Sequence, residues 1–121
     1  MKKLHIDQTD ITPLIDFNPS GELRIEGRSL PENPYEFYMP VRAWLLEYIK
    51  NPAEKTTFYI KVPYYNSSSS KFLLTFFKII ETIYKNGHKA EIQWFIKENE
   101  DADELEIFKD LISVPFKIIK I

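Results

Sequence analysis

Four consecutive hydroxyls, Ser67 to Ser70, followed by the amine of Lys71, form the densest group of reactive side chains in the sequence. Three kinds of chemistry fit them. A helix N-terminus leaves N–H groups unpaired and carries partial positive charge, so one serine could serve as an ordinary cap while the others stay in solvent. The same place welcomes a phosphate, which makes the run a candidate phosphorylation switch. Ser68-Ser69-Ser70-Lys71 also matches the serine–x–x–lysine nucleophile of penicillin-binding enzymes. The Ser-Asp-Asn and Lys-Thr-Gly companions of that motif are absent, and the chain is short for that two-domain architecture. The glycines of a phosphate-binding P-loop are missing as well.

Other candidates are weaker. Glu98, Glu100, Asp101, Asp103 and Glu104 could meet a hard cation or a basic partner, but they lack the glycine turn of a calcium loop. A solvated loop leading into an acidic first helical turn is the better reading. His5 and His88 have no neighbours at metal-ligand spacing and read as surface residues. No metal site and no cofactor is expected. Cysteine is absent, which excludes disulfides and thiolate zinc sites. The net charge of -2 and the lack of a basic face argue against nucleic acid. The chain shows no hydrophobic stretch of signal-peptide or membrane-spanning length, so membrane insertion is not expected and cytoplasmic residence is.

The elements that must position the serine run are legible from periodicity. At 121 residues, with 44% hydrophobic and 15% aromatic content, the chain reads as one domain with rings in its core. Residues 1–10 read as a mobile N-terminal segment. Ile11 to Asn18 reads as a first strand, and Asn18-Pro19-Ser20-Gly21 as a turn. Glu22 to Gly27 alternates as a second strand, with Leu23 and Ile25 on one face. Arg28 to Tyr38 is a loop in which Asn33 could cap a short turn, with Pro34 at its first position and Glu36 three residues on. The first main helix is placed from near Pro40, with Val41, Trp44, Leu45, Tyr48 and Ile49 as its buried stripe. Thr56 to Tyr65 is a third strand.

The serine run comes next, then a helix from about Ser69 to Asn86, stopped by Gly87. Lys89 to Lys97 alternates as a fourth strand. A short helix from about Asp103 to Ile112 follows, and Val114 to Ile121 closes the chain as a strand. The order ββαβαβαβ predicts an α/β domain: a mixed sheet with flanking helices and at least one right-handed crossover.

Several runs together carry a resemblance. They are Thr12-Pro13-Leu14-Ile15-Asp16-Phe17-Asn18-Pro19 with Gly21; Gly27-Arg28-Ser29-Leu30-Pro31-Glu32-Asn33; Phe37-Tyr38-Met39-Pro40-Val41 with Trp44-Leu45; Tyr65 to Lys71; and Trp94-Phe95. In this order the chain closely resembles the SiaC family of bacterial regulatory phosphoproteins, from about Ile11 to Phe116. The resemblance implies a STAS-like domain of the anti-sigma-factor-antagonist kind that is a substrate and not an enzyme. It implies a serine/threonine kinase that phosphorylates a helix start and a PP2C-type phosphatase that reverses this. It also implies an unphosphorylated form that binds and activates a diguanylate cyclase in cyclic-di-GMP and biofilm control.

The resemblance implies a family that usually has threonine directly after the asparagine of the second motif. Ser67 stands there in this chain and is the expected acceptor, with Ser68 second. Asn66, Ser68, Ser69, Lys71, Arg28, Glu32 and Asn33 are the expected surface for kinase and partner. Arg28 would also pair with a phosphate on Ser67 if the two loops meet in space. The readings from other classes are a small hydrolase or transferase built on the Ser-x-x-Lys run, and an unmodified protein-binding domain.

Overall fold

Alternation decides which side of the sheet each strand buries. In β3 (Glu22–Glu26) only Leu23 and Ile25 are buried, and in β5 (Lys89–Ile96) Ala90, Ile92, Trp94 and Ile96 are. The computed structural model describes all of residues 1–121. It adds β1 (Leu4–Ile6), β2 (Leu14–Phe17), β4 (Lys55–Lys61) and β6 (Phe116–Lys120) to make one six-stranded sheet in the order β1-β2-β3-β4-β5-β6. The first three strands are antiparallel neighbours, and β3 to β6 run parallel. Helices α1 (Pro34–Tyr48), α2 (Ser67–Lys85) and α3 (Asp103–Leu111) make the three parallel crossovers. Each crossover steps one strand in the same direction, so right-handed connections put all three helices on one face. This is the expected mixed α/β, STAS-like arrangement with one added strand.

The core lies between that face and the helices, and rings fill it. Phe77 of α2 meets Phe58 at 5.8 Å, Trp94 at 6.2 Å, Phe108 at 5.6 Å and Phe116 at 5.6 Å, each edge to face. The opposite face has no helix over it. There Arg24 lies 4.5 Å over the Tyr59 ring, and Tyr59 stacks on Phe95. No helix is long and apolar enough to cross a membrane. Gly21 closes the β2–β3 turn at φ +107, and a Cβ there would lie 2.1 Å from the Lys55 carbonyl oxygen, so only glycine fits.

Two expectations are corrected. Helix α1 does not start near Pro40. It starts at Pro34, with the Asn33 side chain accepting from the Glu36 N–H at 3.1 Å, and runs through Pro40. Proline at this position leaves the Glu36 carbonyl without its helical donor. Pro40 and Glu36 are both exposed, so water can serve that carbonyl, and the strong cap upstream decides the start.

The N-terminal segment expected as mobile carries β1, giving the order βββαβαβαβ. Leu4 and Ile6 sit opposite Phe17 and Ile15 and pack on the core. Trp44 donates to the Lys2 carbonyl at 2.8 Å, and Lys3 pairs with Asp16 at 3.0 Å. Three residues are too few for an alternation to be seen.

His5 closes this clasp, with Nε2 2.8 Å from Asp7 and Nδ1 3.4 Å from Asp16. Both ring nitrogens can donate only in the charged form. The Asp7 hydrogen bond, then that of Asp16, raises the His5 pKa above its ordinary 6.5. The contribution is therefore complete below 6.5, as long as the carboxylates stay ionised, and is lost as pH rises through the elevated value. An NMR titration of the His5 ring should give a midpoint above 6.5, and Asp7→Asn should lower it. A midpoint at or below 6.5 would contradict the clasp.

Candidate functional site

Beyond the end of β4 the chain does not leave the sheet at once. Ser29 and Tyr65 form a parallel bridge, with Ser29 N–H donating to the Tyr64 carbonyl at 2.8 Å and Asn66 N–H to the Ser29 carbonyl at 3.2 Å. The two loops singled out in the sequence, Gly27 to Asn33 and Tyr65 to Lys71, thus meet directly. Helix α2 starts immediately after this bridge. Its cap is Asn66, whose side-chain oxygen accepts from the Ser69 N–H at 2.8 Å. The serine run is therefore the first helical turn and not the cap.

Helical spacing then separates the four serines. Ser67 and Ser68 are exposed, and neither hydroxyl forms a hydrogen bond within the chain. The half-buried Ser70 turns its hydroxyl back onto the Ser67 carbonyl at 2.8 Å. Ser69, expected on the recognised surface, is instead 0% exposed, as are Ser29 and Tyr38. These three share a closed hydroxyl chain. The Tyr38 hydroxyl bonds to Ser29 Oγ, Ser29 Oγ donates to Ser69 Oγ at 2.8 Å, and Ser69 Oγ donates to the Ser29 carbonyl at 2.9 Å. Burial pushes the Tyr38 hydroxyl pKa up to about 12, so it stays a neutral donor.

Sequence reasoning gave Tyr38 no role in the site and gave Ser69 the wrong side. One signal was available. The buried positions Leu73, Phe76, Phe77 and Ile80 extend back by one turn to Ser69, so the α2 stripe itself points that serine inward. Nothing comparable marks Tyr38, whose partner lies nine residues away across a loop.

The exposed residues around Ser67 have distinct surroundings. The Arg28 guanidinium lies over the Tyr64 ring at 5.4 Å. It lines an open cleft of about 490 Å³ together with Leu30, Pro63, Tyr64, Tyr65 and Glu104. In that cleft burial and the Glu104 carboxylate push the Tyr65 hydroxyl pKa up. Glu32 is exposed, and Asn33 is exposed while its side chain caps α1. Lys71 is exposed and shares a shallow depression of about 290 Å³ with Ser68, Phe72 and Thr75. The first turn of α2 contains no acidic residue.

What the arrangement offers chemically is two free, exposed hydroxyls, those of Ser67 and Ser68. No carboxylate, imidazole or amine hydrogen-bonds to any of the four serine hydroxyls. No group of three His, Cys, Asp or Glu side chains is placed to hold a metal ion. The acidic loop has local roles: Glu100 accepts from the Lys97 N–H at 2.8 Å and Asp101 from the Asp103 N–H at 2.9 Å.

Known proteins share this architecture and sequence. The SiaC family model, described as a SiaC family regulatory phosphoprotein, matches residues 6–121. An uncharacterized protein of Pseudomonas aeruginosa strain UCBPP-PA14 is 31% identical over 121 residues, covering 98% of this chain and 96% of that protein. The crystal structure of apo-SiaC from Pseudomonas aeruginosa superposes with a TM-score of 0.93 at 28% identity, covering 98% of this chain and 99% of that one. A chain in the crystal structure of the diguanylate cyclase SiaD with its activator SiaC, from the same organism, superposes with a TM-score of 0.91 at 30% identity, covering 98% and 99%.

The hydroxyl chain predicts an order of mutational cost. Ser69→Ala strands the Ser29 hydroxyl and removes the donor to the Ser29 carbonyl, and should cost about 1–3 kcal/mol. Ser29→Ala strands the hydroxyls of Tyr38 and Ser69 in part and should cost a similar amount. Tyr38→Phe removes only the outermost donor and should cost about 0.5–1.5 kcal/mol. Ser67→Ala and Ser68→Ala should lie within about 0.5 kcal/mol of the parent. Urea unfolding of the five proteins reads this directly, and a Ser69→Ala protein as stable as Ser67→Ala would contradict the chain.

Proposed function

Because the chain belongs to the SiaC family of regulatory phosphoproteins, we propose that it is a non-enzymatic phosphoswitch whose acceptor is Ser67 and whose unphosphorylated form binds and activates a diguanylate cyclase. In this reading a serine/threonine kinase modifies Ser67 in the cytoplasm and a PP2C-type phosphatase reverses it. The observation that carries the reading is the free, exposed hydroxyl of Ser67 in the first turn of α2, a turn with no carboxylate, and its place directly after Asn66, where the family resemblance puts the acceptor, sets it before Ser68. Ser68 meets the same two conditions and is the second choice. Ser69 is excluded as an acceptor by its burial. Ser70 is disfavoured by its bond to the Ser67 carbonyl.

The mechanism follows from charge. A phosphate brings roughly -1.5 to -2 charges and three acceptor oxygens. The helix N-terminus stabilises them by about 0.3–2 kcal/mol, a small change beside the roughly 5–15 kcal/mol of a typical domain. The fold therefore survives modification, and what changes is the surface. A dianion placed in a partner interface without a cation opposite loses its hydration and weakens binding. The crystallised complex of a cyclase with its SiaC activator supports the choice of partner. The serines lack a base in hydrogen-bond reach, which supports the role of substrate over that of enzyme.

Incubation with a serine/threonine kinase and ATP, followed by tandem mass spectrometry, should yield one phosphate on Ser67 and none in Ser67→Ala. The unmodified protein should raise cyclase turnover, and the phosphorylated protein should not. Phosphate on Ser68 would move the acceptor by one residue. No phosphate, from a kinase active on another substrate, would overturn the switch.

A further inference from the structure

Helix α2 contains three lysines, and two of them are already paired. Lys78 lies 3.7 Å and Lys85 3.6 Å from the Glu81 carboxylate. Lys71 has no ion pair, is exposed, and follows Ser67 by four residues and Ser68 by three. Side chains at these two spacings are neighbours on a helix surface, and the favourable order puts the anion N-terminal to the cation. The N–H groups of Ser67 and Ser68 also find no acceptor in the chain, because the Asn66 cap takes the N–H of Ser69. Arg28, the other cation near this corner, lies over the Tyr64 ring in the cleft it shares with Glu104.

From this placement we infer that Lys71, and not Arg28, is the internal counter-charge of a phosphate on Ser67. The inference rests on the reading of Ser67 as the acceptor and says how that site is regulated. Before modification the corner presents a free ammonium. After modification the ammonium is drawn to the phosphate, and the corner carries net negative charge. A partner carboxylate that meets Lys71 in the unmodified state then loses its cation and faces an anion of its own sign. The switch thereby reverses the sign of a surface as well as adding bulk.

The test uses the full chain with phosphoserine placed at position 67 by translation, so it does not depend on any kinase. The readout is a phosphorus-31 NMR titration of the second phosphate ionisation, ordinarily near pH ~6. A cation beside the dianion lowers that midpoint. Lys71→Gln should raise it by roughly 0.3 units, the size expected of an exposed i, i+4 pair. Lys71→Arg should leave it low, Arg28→Gln should not change it, and added salt should erase the difference. Circular dichroism confirms that each variant is folded. An unchanged midpoint in Lys71→Gln, or a shift in Arg28→Gln in its place, overturns the assignment. Refusal of Ser67 by every kinase would sink the proposed function while leaving this titration readable. An unshifted titration would sink this inference while leaving phosphorylation of Ser67 intact.

Discussion

The site depends on a hydroxyl chain that has no access to water. Tyr38 belongs to α1, Ser29 to the loop after β3, and Ser69 to the first turn of α2. A buried hydroxyl without a partner costs about 1–3 kcal/mol, so three hydroxyls brought together in the interior must satisfy one another. They do so by ending on the Ser29 carbonyl. That closure fixes where α2 begins relative to the Ser29 loop. It leaves Asn66 to cap the helix and turns Ser67 and Ser68 outward. Two runs of sequence that look independent are one structural unit.

The same logic explains a serine run that serves two purposes. Residues in one helical turn point in different directions, so a single run can supply an inward hydroxyl and outward ones. Ser69 continues the buried stripe of Leu73, Phe76 and Phe77, where it is the only polar member of the first turn that needs a partner. Tyr38 supplies more than its hydroxyl. Its ring stacks on Phe72 at 5.2 Å and meets Phe76 edge to face at 5.6 Å. Phe76 sits beside Phe77, the ring on which the sheet, α2 and α3 converge. The helix start is thus tied to the aromatic core through Tyr38.

How much of this could be read from sequence depended on whether a feature is periodic. Strands β3 and β5 and helix α2 repeat their apolar residues often enough to be placed by pattern, and they stand where expected. Strand β1 has three residues and no repeat, and what holds it is non-local: the facing Ile15 and Phe17, the Trp44 indole and the Asp16 carboxylate. Helix α1 began early because an Asn33 cap outweighs a proline whose lost hydrogen bond falls in solvent. The serine run was legible as a helix start. The division of its serines into inner and outer was not, because that needs the helix phase and the starting residue together. The Ser29–Tyr38 partnership leaves no trace in a single sequence.

Ser67 stands where the family resemblance would put a threonine, with Ser68 beside it, and helix geometry limits what a choice between the two hydroxyls would change. Lys71 stands four residues from one hydroxyl and three from the other, and both spacings bring side chains into contact. A phosphate on either serine would meet the same ammonium and the same partial charge of the helix end. The charge presented to a partner is then nearly the same for both positions. Choice between the two would matter to a kinase, which must reach one hydroxyl and not its neighbour, and much less to a partner that reads the sign of the corner. On the proposed reading, a run of serines next to one unpaired lysine would be a tolerant acceptor, since a shift of the phosphate by one residue would preserve the change of sign.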